Sequence, residues 1–355
     1  MRAYSTTRKI RVGIIGCGKV ATDYHLPSYM KIDDVELSSL CDINKKRALS
    51  VSKKFRIKRV YTQVDEMLEN EDLDMVDICT PGFTHYELCK KVMEKGISNI
   101  LVEKPLTLNL DEALDLQSLS ERRNVRVCVV HNYRFKKPVV KLLEMYREGK
   151  IGRINGLISI VHGLSAFKSY DWRRDESKSG GILYESGIHN IDLQVLLSGK
   201  HKHINSVHSI YNDKLKYTTN IYAMIEYENG AVGIIDLGAF TSSTISHFYV
   251  FGTAADVLIK FQPDYFHATT GSLSFYKEFL SENKRFWSFV KTILTGGLSG
   301  YNISYHYPII SSFINSILTD SNSPVSIRDI LPTMKLLEDL KNASHIKTVK
   351  SLGVK

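Results

Sequence analysis

The sequence has no cysteine pair at the spacings that hold zinc or carry disulfide redox chemistry; its 5 cysteines, Cys17, Cys41, Cys79, Cys89 and Cys128, are scattered singly. Three of them fall in strand-like apolar runs, as small buried thiols do in a reducing compartment. Prolines number only 8 and tryptophans 2 in 355 residues, and no repeat or low-complexity linker is present, so a fibrous or disordered class is excluded. No apolar run approaches the roughly 20 residues that cross a bilayer. The polar start, Met1 to Lys9, leads into an apolar stretch of only Ile10 to Ile15, too short for a secretory signal. A cytoplasmic protein without a membrane partner is expected. Metal chemistry is not expected either.

What is present is ordinary globular material: 43% hydrophobic and 24% charged residues, in a chain longer than one hydrophobic core usually supports, which implies two domains. The formal net charge of +9 leaves two readings open, a solvated basic surface or an anionic small-molecule ligand. No helix-turn-helix or zinc pattern accompanies the charge, so no nucleic-acid partner is expected.

From Ile10 to Val130 short β-rich runs alternate with amphipathic stretches, the pattern of βαβ units on a parallel sheet. Strands are predicted at Ile10 to Ile15, Val35 to Cys41, Arg59 to Tyr61, Met75 to Cys79, Asn99 to Val102 and Arg126 to Val130. Helices are predicted at Asn44 to Phe55, Thr84 to Lys95 and Leu110 to Arg123, with Asn44, Thr84 and Asn109 as N-caps. After a further helix at Lys137 to Glu148, strands follow one another: Asn155 to His162, Asn205 to Tyr211, Ile221 to Tyr227, Ala231 to Leu237 and His247 to Phe251. Such a run suggests a largely antiparallel sheet. Asn229-Gly230 reads as a hairpin turn with both residues at positive φ. Helices return at Tyr305 to Leu318 and Ile327 to Ala343. The fold class is α/β, a doubly wound parallel Rossmann sheet over residues 1–130 and an α/β domain with an open, largely antiparallel sheet over 131–355.

Gly16-Cys17-Gly18-Lys19-Val20-Ala21 fits GxGxxG/A between a predicted strand and a predicted helix. Glycines there let the backbone turn sharply and approach a pyrophosphate, whose charge rests on the free N–H groups of the helix N-terminus. Asp42, at the end of the second strand, is placed to accept from the adenosine ribose hydroxyls, which favours NAD over NADP. Ligands of doubly wound sheets lie outside the carboxyl ends of the strands. The residues there are chemically unusual: Thr80-Pro81 after the fourth strand, Glu103-Lys104-Pro105 after the fifth, and His131-Asn132-Tyr133-Arg134 after the sixth.

Four blocks, Gly13-Ile14-Ile15-Gly16-Cys17-Gly18, Cys79-Thr80-Pro81 with His85, Glu103-Lys104-Pro105, and Gly180-Gly181 followed by Glu185-Ser186-Gly187-Ile188-His189-Asn190-Ile191-Asp192, span most of the chain. In this order they resemble the glucose-fructose oxidoreductase, inositol dehydrogenase and rhizopine catabolism (Gfo/Idh/MocA) family. The resemblance implies a Rossmann domain followed by a larger domain whose open sheet often makes oligomer contacts, so a homo-dimer or homo-tetramer is expected. It implies an NAD-dependent, or NADP-dependent, dehydrogenase acting on a carbinol of a sugar, nucleotide sugar or polyol. Thr80, Pro81, His85 and Glu103 would line the cofactor, Lys104 would sit beside the nicotinamide and the reacting oxygen, and His189 would act as general base. Glu185, four residues before His189, is expected to share its helix face and either orient the imidazole or contact substrate; many relatives carry aspartate there.

Tyr170, Trp172, Arg173, Arg174 and Lys178 precede the glycine pair and suit an anionic sugar or nucleotide sugar, while a solvated loop is the other reading. Asn132 and Arg134 are further substrate contacts expected at a strand end. Two alternatives remain at this point: a non-catalytic dinucleotide-sensing regulator, which the presence of both Lys104 and His189 argues against, and an NAD-dependent transient-oxidation glycosidase.

Overall fold

Near-continuous apolar runs build four adjacent strands of the first sheet, as expected of parallel strands buried on both faces, while two more polar runs form one edge. In the computed structural model, which describes residues 8–163, 172–239, 244–261, 264–270 and 305–349, these runs are β1 (Ile10–Ile15), β2 (Val35–Cys41), β3 (Arg59–Tyr61), β4 (Met75–Ile78), β5 (Asn99–Glu103) and β6 (Arg126–Val130). All pair in parallel, in the order β3-β2-β1-β4-β5-β6. The order reverses between β1 and β4, which opens the crevice where such sheets take a ligand. Asn44 and Asn109 cap their helices as expected, accepting from Arg47 N and Glu112 N. Thr84 does not cap with its side chain. Its hydroxyl faces the Pro81 carbonyl and the Thr80 hydroxyl, each at 2.7 Å, and so tightens the loop after β4.

The second sheet contains β7 (Ile154–His162), β8 (His201–Asn212), β9 (Tyr217–Tyr227), β10 (Val232–Gly238), β11 (Ile245–Gly252), β12 (Asp256–Phe261), β13 (Asp264–Thr269) and β14 (His345–Val349). Its order is β13-β12-β11-β7-β10-β9-β8-β14. Pairing is antiparallel except at β7–β10 and β8–β14. The helix Ile188–Ser198 lies on one face, fastened by the Gln194 amide, which donates to Ser159 Oγ and the Ile234 carbonyl. At the β9–β10 hairpin only Gly230 takes positive φ, at 82°, and Gly230 N donates to the Tyr227 carbonyl. The expected turn with two left-handed residues is replaced by a three-residue loop, whose single left-handed position falls on the residue without a side chain.

The helices His306–Leu318 and Ile327–Ala343 come after the second sheet in sequence but pack against the first. Val129 N donates to the Val325 carbonyl at 3.0 Å, and Leu110 N donates to Glu338. The strand pattern changes after Val130, yet the chain returns to the Rossmann unit through these two helices before β14 joins β8 in the second sheet. Among the described residues no helix is long and apolar enough to cross a membrane.

Candidate active site

The glycine loop is shaped for a backbone-to-phosphate contact. Gly16 sits at φ +96°, and a Cβ there would come within 2.8 Å of the Cys79 carbonyl oxygen. A Cβ at Gly18 would meet nothing within 4 Å, so this side of the loop is an open cradle before the helix that runs on through Val20 and Ala21. Cys17 is buried and serves through its backbone N–H, which donates to Asp42 Oδ2 at 2.8 Å. Lys19 points outward toward Asp23. Asp42 also accepts from Asn44 N and, through both oxygens, from the Arg47 guanidinium at 2.9 and 3.0 Å. Its carboxylate thus ends β2 where a ribose would lie, with Arg47 as the exposed partner a ribose diol would displace.

Under the loops lies a buried polar node. His25, brought inward by a π-helical turn at Ala21–His25, places Nδ1 2.8 Å from Asp77 Oδ2 and Nε2 2.9 Å from Glu103 Oε1. Both neighbours are carboxylates, so both nitrogens carry a proton. Burial opposes that charge, but Asp77 overrides it and holds the imidazole well above its ordinary titration range. Burial would likewise raise Glu103, yet the contacts from His25 and His306 hold its carboxyl well below the usual range. Glu103 is therefore committed beneath the loop, against its expected place along the cofactor. His85 departs in the same way: it is fully buried, with Nδ1 2.7 Å from the Pro105 carbonyl and Nε2 2.8 Å from that of Thr80. It ties the Thr80-Pro81 loop to the Lys104-Pro105 loop, whose linking peptide is cis.

Lys104 leaves this framework and crosses to the second half of the chain, where Nζ donates to the Glu185 carbonyl at 2.9 Å. Glu185 lies in a second π-helical turn, Leu183–Gly187, directly before the helix of His189. The wider turn breaks the expected four-residue stacking. The Glu185 carboxylate lies 3.7 Å from Arg173 Nε, and it forms no hydrogen bond with His189. His189 instead stacks on Tyr133, ring centroids 4.2 Å apart at 12°. Its Nδ1 is buried with no hydrogen-bond partner among the described residues. Burial, joined by the charges of Lys104 and His131, holds this imidazole well below its ordinary titration range.

Two expected substrate contacts have other partners. Arg134 donates to both oxygens of Asp192 at 2.6 and 2.7 Å, a buried bidentate pair completed by the Thr333 hydroxyl and by His131 at 3.1 Å. Asn132 is buried beside His306, its Nδ2 3.3 Å from that ring, while its Oδ1 has no partner among the described residues. Trp172 meets Phe83 edge-on at 6.0 Å, and the Arg173 guanidinium lies over the indole at 4.6 Å. This segment, with Arg174 beside it, leans over the loop after β4; Tyr170 lies outside the described residues. A cavity of about 1090 Å³ bordered by Asn99, Arg126 and Asp320 opens instead at the starts of β5 and β6, away from all these groups.

A model of the oxidoreductase family with an NAD-binding Rossmann fold matches residues 10–131, and a model of the GFO/IDH/MocA C-terminal domain matches residues 139–257. The chain belongs to the Gfo/Idh/MocA oxidoreductase family. Among its relatives are a D-apiose dehydrogenase of Paraburkholderia graminis, 26% identical over 65% of this chain and 61% of that protein, and a myo-inositol 2-dehydrogenase of Thermotoga maritima, 27% identical over 64% and 68%. The matched region spans roughly two thirds of these relatives. The WlbA dehydrogenase of Bordetella pertussis, solved with NADH and UDP-GlcNAcA, is similar in fold, with a TM-score of 0.79, 20% identity, and coverage of 95% of this chain and 96% of that one. KijD10, a 3-ketoreductase of Actinomadura kijaniata solved with NADP, reaches 0.75 at 16% identity, over 96% and 100%.

As a member of this family the chain carries an NAD-binding Rossmann domain, and its open glycine cradle and Asp42 fit a dinucleotide. The sequence reading did not single out His25, Asp77 or His306, and it named Tyr133 in a strand-end block without giving it a role. One signal was available for the first two. Asp77 is a charged residue inside a four-residue central strand, buried at every position, and such a charge needs a partner.

Proposed function

We propose that this chain is an NAD(P)-dependent dehydrogenase that moves hydride between a carbinol of a sugar-type substrate and the nicotinamide, with Lys104 and His189 at the reacting oxygen. The observation that carries the reading is the Lys104 Nζ to Glu185 carbonyl bond of 2.9 Å, which brings the strand-end lysine to the turn that presents His189. Bound nicotinamide supplies the two-electron hydride acceptor or donor. The Lys104 ammonium has three donors and commits one to Glu185, leaving others for the substrate oxygen. His189, uncharged in its buried setting, takes the carbinol proton as the oxygen becomes a carbonyl. His85 and Glu103 hold the lysine loop at both ends, so the amine is fixed before substrate arrives.

The family relatives act on neutral pentoses and inositols by name, and the structural neighbour WlbA was solved with an anionic nucleotide sugar. Arg173, with its guanidinium over the Trp172 ring that meets Phe83, favours the anionic class here, through charge-assisted hydrogen bonds to phosphate or carboxylate. A panel of neutral sugars, polyols, sugar acids and nucleotide sugars, read by reduced-cofactor absorbance with NAD and NADP, tests the proposal. Turnover of an anionic sugar that falls about tenfold in kcat/KM in Arg173→Ala, with neutral substrates unaffected, is the expected outcome. No reduced cofactor with any carbinol would leave, for the same site, a sensing role or a transient oxidation in which the cofactor is regenerated each turnover.

A further inference from the structure

Beside the candidate base lies a lysine that the mechanism above does not use. The Lys136 side chain is 2% exposed, a rare setting for an ammonium, which is buried only when paired. Its Nζ lies 3.5 Å from the Tyr305 ring centroid, 4.4 Å from that of Tyr133 and 5.2 Å from that of Phe261. Asp264 Oδ1, on β13, is 3.3 Å away. Three aromatic rings and one carboxylate thus enclose the cation; burial pulls the ammonium below its ordinary titration range, while Asp264 and the ring quadrupoles act against that loss. Tyr133 belongs to both this cage and the site: its ring packs on Phe261 at 4.7 Å and stacks on the His189 imidazole at 4.2 Å. The backbone closes the same unit, since Lys136 N donates to the Tyr133 carbonyl at 3.1 Å.

We propose that Lys136 is a positioning residue for His189: its caged ammonium fixes the Tyr133 ring on which the imidazole stacks and sets a standing positive charge one ring away, so that His189 stays uncharged until it receives the substrate proton. The proposal rests on the reading of His189 as general base. An imidazolium on the Tyr133 ring would share that ring with a second cation, and the repulsion is little screened in a buried site. The other charges facing His189 are Lys104 and Glu103 from the end of β5 and His131 from the segment after β6, with Asp264 behind Lys136 and the Glu185 carboxylate of the preceding turn directed to Arg173. Burial, Lys104 and His131 act on His189 in the same direction as Lys136, and Glu103 opposes them.

The test is a titration of His189 in the full-length protein by NMR of ¹³C-labelled histidine, with the signal assigned by its loss in His189→Asn. Lys136→Met should raise the midpoint by about half a pH unit or more. Lys136→Arg, which keeps the charge, should retain the wild-type behaviour, and Asp264→Asn, which removes only the counter-charge, should leave the midpoint in place or lower it. The acid limb of kcat/KM should follow the same pattern. No rise in Lys136→Met, or an equal rise in Asp264→Asn that would signal general loosening, overturns the proposal. If Lys136→Met does not fold, Asp264→Asn decides alone, because a rise there contradicts a standing cation. Because the midpoint is read without turnover, full activity in His189→Asn would remove the base reading and leave the measured coupling separately visible.

Discussion

Two side chains at the strand ends divide the labour of the site. Lys104 reaches across to Glu185; in the proposed reaction it would face the reacting oxygen, while the glycine loop and Asp42, joined through Cys17 N, would hold the dinucleotide without it. Lys104→Ala should therefore reduce kcat by about a hundredfold or more while leaving NAD affinity within about tenfold. Steady-state kinetics with cofactor titration by fluorescence checks this, and near wild-type turnover would remove the assignment. At the other end of the cofactor, Asp42 meets Arg47 in a bidentate pair. A 2′-phosphate would face the Asp42 carboxylate with like charge, so the wild-type protein should prefer NAD. Arg47, 47% exposed, is free to turn from the carboxylate to such a phosphate and soften the discrimination. Arg47→Ala should then widen the preference for NAD over NADP by about fivefold, the scale of an exposed ion pair, measured as a ratio of kcat/KM values.

Elements bring these residues together, and one ion pair anchors three of them. Asp192, on the helix Ile188–Ser198, takes Arg134 from the turn after β6 and Thr333 from the helix Ile327–Ala343. Burial would raise the Asp192 carboxyl, but the Arg134 charge outweighs it and holds the group well below its ordinary value of 3.8. A depressed folded value means that the unfolded chain binds the proton more readily. The stabilisation is complete above the ordinary value and is lost as pH falls below it. Thermal melts should accordingly drop steeply below about pH 4. Asp192→Asn leaves a buried guanidinium uncompensated, should cost about 3 to 5 kcal/mol at neutral pH, and should flatten that acid limb. At this scale the sequence was most legible where local rules and burial agree: the strands of the first sheet end within a residue of expectation because their runs stop at polar or turn-forming residues such as Gly16, Asp42, Thr62, Thr80-Pro81, Lys104 and His131. It was least legible where tertiary contacts decide. The strands Asp256–Phe261 and Asp264–Thr269 are short additions at a sheet edge, and His345–Val349 owes its place to pairing with β8. The π turn at Leu183–Gly187 cannot be read from spacing, yet it turns the Glu185 carboxylate away from His189 and offers its carbonyl to Lys104.

At the scale of the whole molecule, one face of the second sheet is left uncovered by the other described residues. Its inner face carries the helix of His189, while the outer face presents Tyr222, Met224, Val232, Ile234 and Phe251, each about 40% exposed. Register makes this one surface: Ile234 stands opposite Met224 on β9 and Ile158 on β7, Ile158 opposite Tyr249 on β11, and Tyr249 opposite Leu258 on β12. An apolar row crossing five strands is more contiguous than a monomer's surface usually tolerates. Covering it with a second copy would remove water from both faces at roughly 25 cal/mol per Å² of apolar area, and a stable pair needs about 800 Å² from each partner. The protein should therefore be a dimer or a higher even oligomer at micromolar concentration. Ile234→Glu places a charge at the centre of the row, where its desolvation would oppose association, yet it leaves the inner face untouched. Sedimentation velocity of the two proteins decides the matter: the expected result is an oligomer that the substitution shifts toward monomer with its melting transition still cooperative. A wild-type monomer at that concentration would show that this face is tolerated in water as it stands.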